Sequence, residues 1–131
     1  ISSTIEQNKK EYYHSLKKAQ RSLEISEWIV YFSKIILQSH KNTKQIIKFT
    51  LLKVNFLDKC KSLINERQNK AIIKMFEAGI SGFEGGMTSK KYVSINKISR
   101  ATATRDLQDL FEKQIFKQNG EGRSVSYELN F

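Results

Sequence analysis

The chain has 131 residues, of which 39% are hydrophobic, and this suffices for the core of one domain or of two small ones. Its 23 Lys and Arg outnumber its 13 Asp and Glu, and the formal net charge of +10 favours polyanionic partners. A single cysteine excludes an internal disulfide and favours a reducing, cytoplasmic setting, while the lack of a signal-peptide pattern or long apolar run disfavours secretion and a membrane.

The N-terminal half of the sequence predicts three helices. Ser3 and Glu6 have the spacing of a capping box at the start of the first helix. The second helix is expected to begin after Ser26 as N-cap, and the third to run from about Asn42 to Ile64. The apolar periodicity predicts buried side chains at Ile5, Tyr12, Leu16, Ala19 and Leu23, then at Trp28, Ile29, Phe32, Ile35 and Ile36, and then at Ile46, Ile47, Phe49, Val54, Leu57 and Ile64.

Lysines recur along the predicted third helix, where Lys41, Lys44 and Lys48 lie on one side. They have two interpretations, a basic stripe that contacts nucleic acid or an acidic partner, and a solvated face in a lysine-rich protein. The lack of arginine beside them favours the solvated face.

A fourth helix is predicted from Glu66 to Ala78, with Asn65 as its N-cap and Gly79 at its end. Residues 79–86 are rich in glycine and predict a loop with a short strand. Gly85 and Gly86 predict a turn rather than a phosphate-binding loop, since no lysine-serine pair follows at the required spacing. We place a domain boundary near residue 65, between a helical region, 1–65, and a second domain, 66–131. The residues of the fourth helix expected to face inward are Ala71, Ile72, Met75 and Phe76.

Residues 88–129 have the order of a winged helix-turn-helix. Thr88 caps a short helix through Ile95, residues 96–98 form the turn, and Ser99 caps the second helix. Two strands, 115–118 and 124–129, follow and are joined by a turn at 120–123. The fold class is therefore mainly α, with an N-terminal helical bundle segment of about three helices before a winged helix-turn-helix and its small β-hairpin. On the second helix, Ala103, Leu107, Leu110, Phe111 and Gln114 are expected to face inward, and Ala101, Thr102, Arg105, Gln108, Asp109 and Glu112 outward.

The second helix of this motif is the candidate reader of duplex DNA. Readers of this type contact bases with the N-terminal part of that helix, and arginines near it meet phosphates. The later carboxylates, Asp106, Asp109 and Glu112, reduce its positive charge. A purely structural or protein-contact role is the alternative. The candidate nucleic-acid-binding residues are Lys90, Lys91, Lys97, Ser99, Arg100, Thr102, Thr104, Arg105 and Arg123.

Two groups of stretches, taken together, carry a family resemblance. Residues 5–6, 11–13, 16–22 and 25–32 resemble the helices that follow the catalytic core of bacterial Fic-family proteins. The winged-helix tail of the same proteins is similar to residues 65–68, 83–88, 99–107, 122–124 and 127–129. Because the chain begins at Ile1, directly before a helix start, we expect it to be a fragment of a longer protein.

The resemblance implies a parent protein that uses ATP and Mg to transfer AMP to a hydroxyl side chain of a target protein. That family's active site uses a loop of the His-Pro-Phe-x-x-Gly-Asn-Gly-Arg type, in which His is the base and the glycines hold phosphates. This chain has no proline, and neither His14 nor His40 begins such a loop. We therefore assign no catalytic residue and no cofactor to this chain, and the family's inhibitory glutamate motif is not visible either.

The sequence is best interpreted as a non-catalytic C-terminal region of a Fic-type protein adenylyltransferase. Its helical region would pack against the catalytic core, and its winged helix would bind DNA. The alternative is a protein-interaction or dimerisation module that positions the target or a second copy of the parent. An enzyme in its own right is disfavoured because the carboxylates are scattered, no metal-ligand spacing occurs, and Cys60 has no evident His partner.

Overall fold

The computed structural model describes residues 1–21 and 23–131, and the side chain of Arg123 lies outside this description. The fold is mainly helical with a small C-terminal hairpin, which confirms the predicted fold class. The chain divides into two compact units, Ile1–Lys48 and Phe49–Phe131. The domain boundary predicted near residue 65 separates a helical region, expected to pack on a catalytic core, from the winged helix. That boundary stays a prediction.

The first unit contains α1 (Ser2–Gln7), α2 (Lys9–Ala19) and the N-terminal part of α3 (Ser26–Cys60). Aromatic rings join α2 to α3: the Tyr12 ring meets Trp28 edge-on at a centroid distance of 5.5 Å, and Trp28 stacks on Phe32 at 5.6 Å. Ile35 and Ser39 continue this packed side of α3 and are buried. The aromatic cluster is therefore the main apolar contact of the unit.

The first predicted helix is broken at Asn8, so the prediction of one continuous helix is wrong. The side-chain amide of Asn8 donates to the carbonyl of Thr4 at 2.9 Å, a local bond that competes with the helical ladder. The predicted capping box is also wrong, since Ser3 lies inside α1 and the N-cap, Ile1, makes no side-chain bond. Leu23, expected to be buried, lies beyond α2 and is fully exposed.

The two helices predicted from Ser26 and from Asn42 are one helix, α3, which begins at Ser26 itself. Asn42 does not end it, because the Asn42 side-chain oxygen accepts from the Gln38 amide one turn earlier, at 2.8 Å. Thr43 likewise donates its hydroxyl to the Ser39 carbonyl at 3.0 Å, so both polar side chains are satisfied within a helical geometry.

Several apolar residues of α3 that were expected to be buried are about half exposed. Within the first unit the packed side carries Trp28, Phe32 and Ile35, and the remaining sides of the helix stay open. The predicted burial of Ile29, Ile46 and Ile47 is therefore wrong. Val54, in the second unit, was also expected to be buried and is exposed.

The second unit contains the end of α3, three further helices and a hairpin. They are α4 (Glu66–Glu77), α5 (Ser89–Asn96), α6 (Arg100–Glu112), β1 (Phe116–Asn119) and β2 (Ser126–Leu129), with short 3-10 turns at Gly79–Ser81 and Gly122–Ser124. The predicted N-caps are confirmed: side chains of Asn65, Thr88 and Ser99 accept from backbone N–H groups of Gln68, Lys91 and Thr102. The first turn of each of these helices therefore needs no outside partner for that N–H.

The core of this unit is built from apolar side chains of every element. The inward residues predicted for α4 are confirmed, and Tyr92 of α5 is fully buried among them. Phe111 and Gln114, predicted to face inward, are exposed, because the buried stripe of α6 is centred on Ala103, Leu107 and Leu110. The buried apolar residues are Phe56, Cys60, Ala71, Ile72, Met75, Phe76, Met87, Tyr92, Ala103, Leu107, Leu110, Ile115, Phe116 and Tyr127.

The hairpin forms the wing of the predicted motif. Its strands pair antiparallel, with Phe116 opposite Leu129 and Asn119 opposite Ser126. The short strand predicted in the glycine-rich segment is a single bridge, in which Met87 and Tyr127 exchange backbone bonds of 2.7 and 2.8 Å. Among the described residues, no helix has the length and apolar content needed to cross a membrane.

A substitution at Gly86 tests how tightly the segment of this bridge packs against the hairpin. Its φ is +63°, and a Cβ there would lie 2.9 Å from the carbonyl oxygen of Tyr127. We expect Gly86→Ala to lower the free energy of unfolding by about 2 kcal/mol, because the clash adds to the left-handed strain. Gly122→Ala is the matched control, since φ is +59° there and nothing lies within 4 Å of the added carbon. Equal losses in urea denaturation would contradict a tight junction.

Candidate nucleic-acid interface

The exposed face of α6 is small and basic over its first two turns. Arg100, Ala101, Thr104 and Arg105 are all exposed, and their spacing along the helix places them on one side. Ala103 and Leu110 lie on the opposite side and are buried. The structure therefore brings together four positions at which a helix can approach a groove closely.

Three hydroxyl side chains at the start of α6 also have partners within the helix. Ser99 Oγ accepts from the Thr102 backbone N–H at 3.2 Å and lies 3.0 Å from Thr102 Oγ1. Thr104 donates to the carbonyl of Arg100 at 3.0 Å. Ser99 and Thr104 are exposed, and Thr102 is half-buried. Ser99 therefore has a helix-capping role that explains its presence without a ligand.

The candidate lysines occupy two different environments. Lys90 and Lys97 are exposed, and Lys97 has a left-handed backbone, φ +54°, in the turn that leads to α6. Lys91 instead donates its ammonium to the carbonyl oxygen of Gly86 at 2.9 Å and lies 4.7 Å from the centre of the Phe83 ring. Lys91 thus has a structural partner in the glycine-rich loop. The side chain of Arg123, the ninth candidate, lies outside the described residues.

Asp106 has a structural role on α6 that the sequence analysis does not predict. Its carboxylate is buried and forms a bidentate ion pair with Arg67. Nε of Arg67 donates to Oδ2 at 2.8 Å, and Nη2 donates to Oδ1 at 3.0 Å. The Tyr92 hydroxyl donates to Oδ2 at 3.0 Å, and the Asn65 amide lies 3.4 Å from Oδ1. The spacing of Asp106 from Ala103 and Leu110 is the signal that predicts a buried position.

Gln68 completes this network from the first turn of α4. Its side-chain oxygen accepts from the Asn65 backbone at 2.9 Å, and its amide donates to the carbonyl of Asp106 at 3.0 Å and to Asp109 at 2.8 Å. The network therefore joins α4, α5 and α6 through hydrogen bonds that satisfy its buried polar groups. We refer to Asn65, Arg67, Gln68, Tyr92 and Asp106 as the Asp106 network.

The pKa values of the network follow from burial and pairing. Burial raises the pKa of Asp106, but the hydrogen bonds from Arg67 and Tyr92 outweigh it and hold that pKa below its ordinary value. Burial and the bond to Asp106 raise the pKa of Tyr92. Asp106 therefore stays ionised in the folded protein at neutral pH, and its charge is compensated by Arg67.

The other carboxylates of α6 are also engaged. Asp109 pairs with Lys113 at 2.6 Å, and this bond, with that from Gln68, lowers the pKa of Asp109. The Glu112 side chain accepts from the Gln108 amide at 3.1 Å in the third turn. The exposed surface around Arg100 and Arg105 thus keeps its positive charge, because two of the three carboxylates face cationic partners elsewhere.

The residues considered for catalysis have different exposures. His14 and His40 are exposed on α2 and α3, and Cys60 is buried, which raises the pKa of its thiol. Among the described residues, no group of three or more His, Cys, Asp or Glu side chains could hold a metal ion. No family model matches the sequence, and no curated protein matches it.

Replacing Asp106 tests whether the network holds the helices together. We expect Asp106→Asn to lower the free energy of unfolding at pH 7 by about 2 kcal/mol, because Arg67 and Tyr92 lose a charged acceptor. The folded pKa of Asp106 is lowered, so its stabilisation is present above the unfolded value near 3.8 and is lost as pH falls through the folded value. The deficit of the variant, measured by urea denaturation, should therefore shrink below about pH 4.

Glu112→Gln is the matched control for Asp106→Asn, since it removes an exposed carboxylate from the same helix. Its effect should stay within about 0.5 kcal/mol at pH 7. A deficit of Asp106→Asn that is equally large at pH 3 and pH 7 would contradict an ionised, paired Asp106.

Proposed function

We propose that the second unit binds duplex DNA, with the N-terminal half of α6 in the major groove. The observation that supports this most is the pair of arginines on the exposed face of α6, neither of which forms an ion pair in the described part of the chain. Arg100 and Arg105 flank Ala101 and Thr104, which are small enough for close approach to base edges. The carboxylates nearest to them in sequence, Asp106 and Asp109, are occupied by Arg67 and Lys113.

The order of the elements also supports a groove-binding geometry. The left-handed Lys97 turns the chain between α5 and α6, and the hairpin follows α6 as a wing. The start of α6 presents free backbone N–H groups where phosphate oxygens would lie. In this proposal Arg100, Arg105 and Lys97 contact phosphates, Thr104 and Ala101 face the bases, and Lys90 is an outer phosphate contact.

The test is fluorescence anisotropy of a labelled duplex at several salt concentrations. We expect the logarithm of the association constant to fall with the logarithm of salt with a slope of about −4 to −6, as for about five or more phosphate contacts. Arg100→Ala combined with Arg105→Ala should weaken binding by about tenfold or more and flatten the slope by about two. Both side chains are exposed, so the melting temperature should stay nearly unchanged.

Lys10→Ala combined with Lys17→Ala is the control, because it removes the same charge from exposed positions of α2. This pair should leave both the affinity and the slope nearly as in the wild type. Equal losses of affinity in the two double variants would mean that binding depends on net charge and not on the arginines of α6. An absence of binding at low salt would contradict the proposal.

We further propose that the chain is the non-catalytic C-terminal region of a Fic-type protein adenylyltransferase. The support is the resemblance of stretches within residues 5–32 and 65–129 to Fic-family proteins. In this proposal ATP and Mg bind to the parent's catalytic core. The polypeptide ahead of Ile1 should then contain the His-Pro-Phe-x-x-Gly-Asn-Gly-Arg type loop. A complete coding sequence without that loop would contradict the family assignment, while the DNA-binding proposal would stand on its own measurement.

A further inference from the structure

The first unit presents a surface that its own packing leaves open. We define it as the α3 face, formed by Val30, Leu37 and Ile47 together with Lys34, Lys41 and Lys48. The three apolar side chains are 55%, 55% and 54% exposed. The aromatic cluster and the buried Ile35 and Ser39 occupy the other side of the helix, so the described residues of the first unit leave the α3 face open.

The charge of this face has one sign. No Asp or Glu occurs between Glu27 and Asp58, so α3 carries no acidic residue over this stretch of the first unit. All three lysines are exposed and, among the described residues, none forms an ion pair. A surface that covers the apolar side chains is therefore better matched if it supplies negative charge.

The lysines and the apolar residues repeat with the period of a helix–helix contact. Lys34, Lys41 and Lys48 are spaced seven residues apart. Val30 and Leu37 have the same spacing, and a lysine, Lys44, follows them seven residues later. Residues seven apart lie on nearly the same side of a helix, which is the repeat by which one helix packs along another. Each apolar side chain of the pair has a lysine one turn after it, in a position to flank a partner's apolar seam.

Other occupants fit the α3 face less well. A second copy of the chain would place lysines against lysines. Nucleic acid would satisfy the lysines but leave aliphatic Val30, Leu37 and Ile47 without a partner. A membrane surface requires no heptad, and its usual aromatic anchors are absent from this face, since Trp28 and Phe32 belong to the packed side.

We propose that the α3 face binds an acidic amphipathic helix of a partner protein. Leucine-like side chains of that helix cover Val30, Leu37 and Ile47, and its carboxylates, repeated every seven residues, pair with Lys34, Lys41 and Lys48. This interaction is independent of the DNA-binding proposal, because it uses only residues of the first unit.

The test uses this chain and two labelled synthetic helices with leucine at the seam positions. One peptide carries glutamate and the other lysine at the flanking positions. In fluorescence anisotropy, Lys34→Glu combined with Lys41→Glu should weaken binding of the acidic peptide by about tenfold and strengthen binding of the basic one. Lys10→Glu combined with Lys17→Glu is the matched control, with the same charge change and the same spacing on exposed positions of α2.

The control pair should change acidic-peptide binding by less than about twofold. Val30→Ser combined with Leu37→Ser should also weaken binding while leaving the thermal unfolding of the chain nearly unchanged, since both side chains are exposed. Equal losses in both charge-reversed pairs would overturn the proposal. The proposal would also be overturned if the chain sedimented with phosphatidylserine vesicles only when Lys34 and Lys41 were present, while peptide binding did not depend on these lysines.

Discussion

The ion pair between Asp106 and Arg67 is the interaction on which the second unit depends. It lies where α4, α5 and α6 meet, and it joins residues 39 positions apart in the chain. A buried carboxylate is costly unless its charge is met, and here a guanidinium, a phenol and an amide meet it. The same pairing fixes the rotation of α6 about its axis, because Asp106 must face inward for these bonds to form.

That rotation has a direct consequence for the surface. With Asp106 and Leu110 turned inward, Arg100, Thr104 and Arg105 are turned outward. The carboxylates that would weaken the field of the two arginines are compensated elsewhere, Asp106 by Arg67 and Asp109 by Lys113. Net charge alone does not predict this arrangement, since most of the excess positive charge belongs to residues 1–65. The local pairing decides where positive charge remains available.

Local chemistry made the helix-turn-helix predictable, and tertiary packing limited the rest. The caps at Asn65, Thr88 and Ser99 depend on bonds within three residues, so the sequence indicates them directly. The break at Asn8 and the continuity of α3 through Asn42 depend on which nearby group each amide bonds, and the residue type does not decide that. The burial of Asp106 follows from its spacing, whereas its partner Arg67 does not. On α3, apolar residues occupy several sides, so periodicity alone cannot tell which side packs.

The two units carry surfaces of different chemistry, arginines and small residues on α6 and lysines between aliphatic side chains on α3. We propose that duplex DNA binds to the surface of α6. The most direct measurement is a titration of the ¹⁵N-labelled chain with a short duplex, followed by backbone amide shifts. We expect the largest shifts at residues 97–105. Shifts concentrated at residues 29–48, with 97–105 unmoved, would contradict the account.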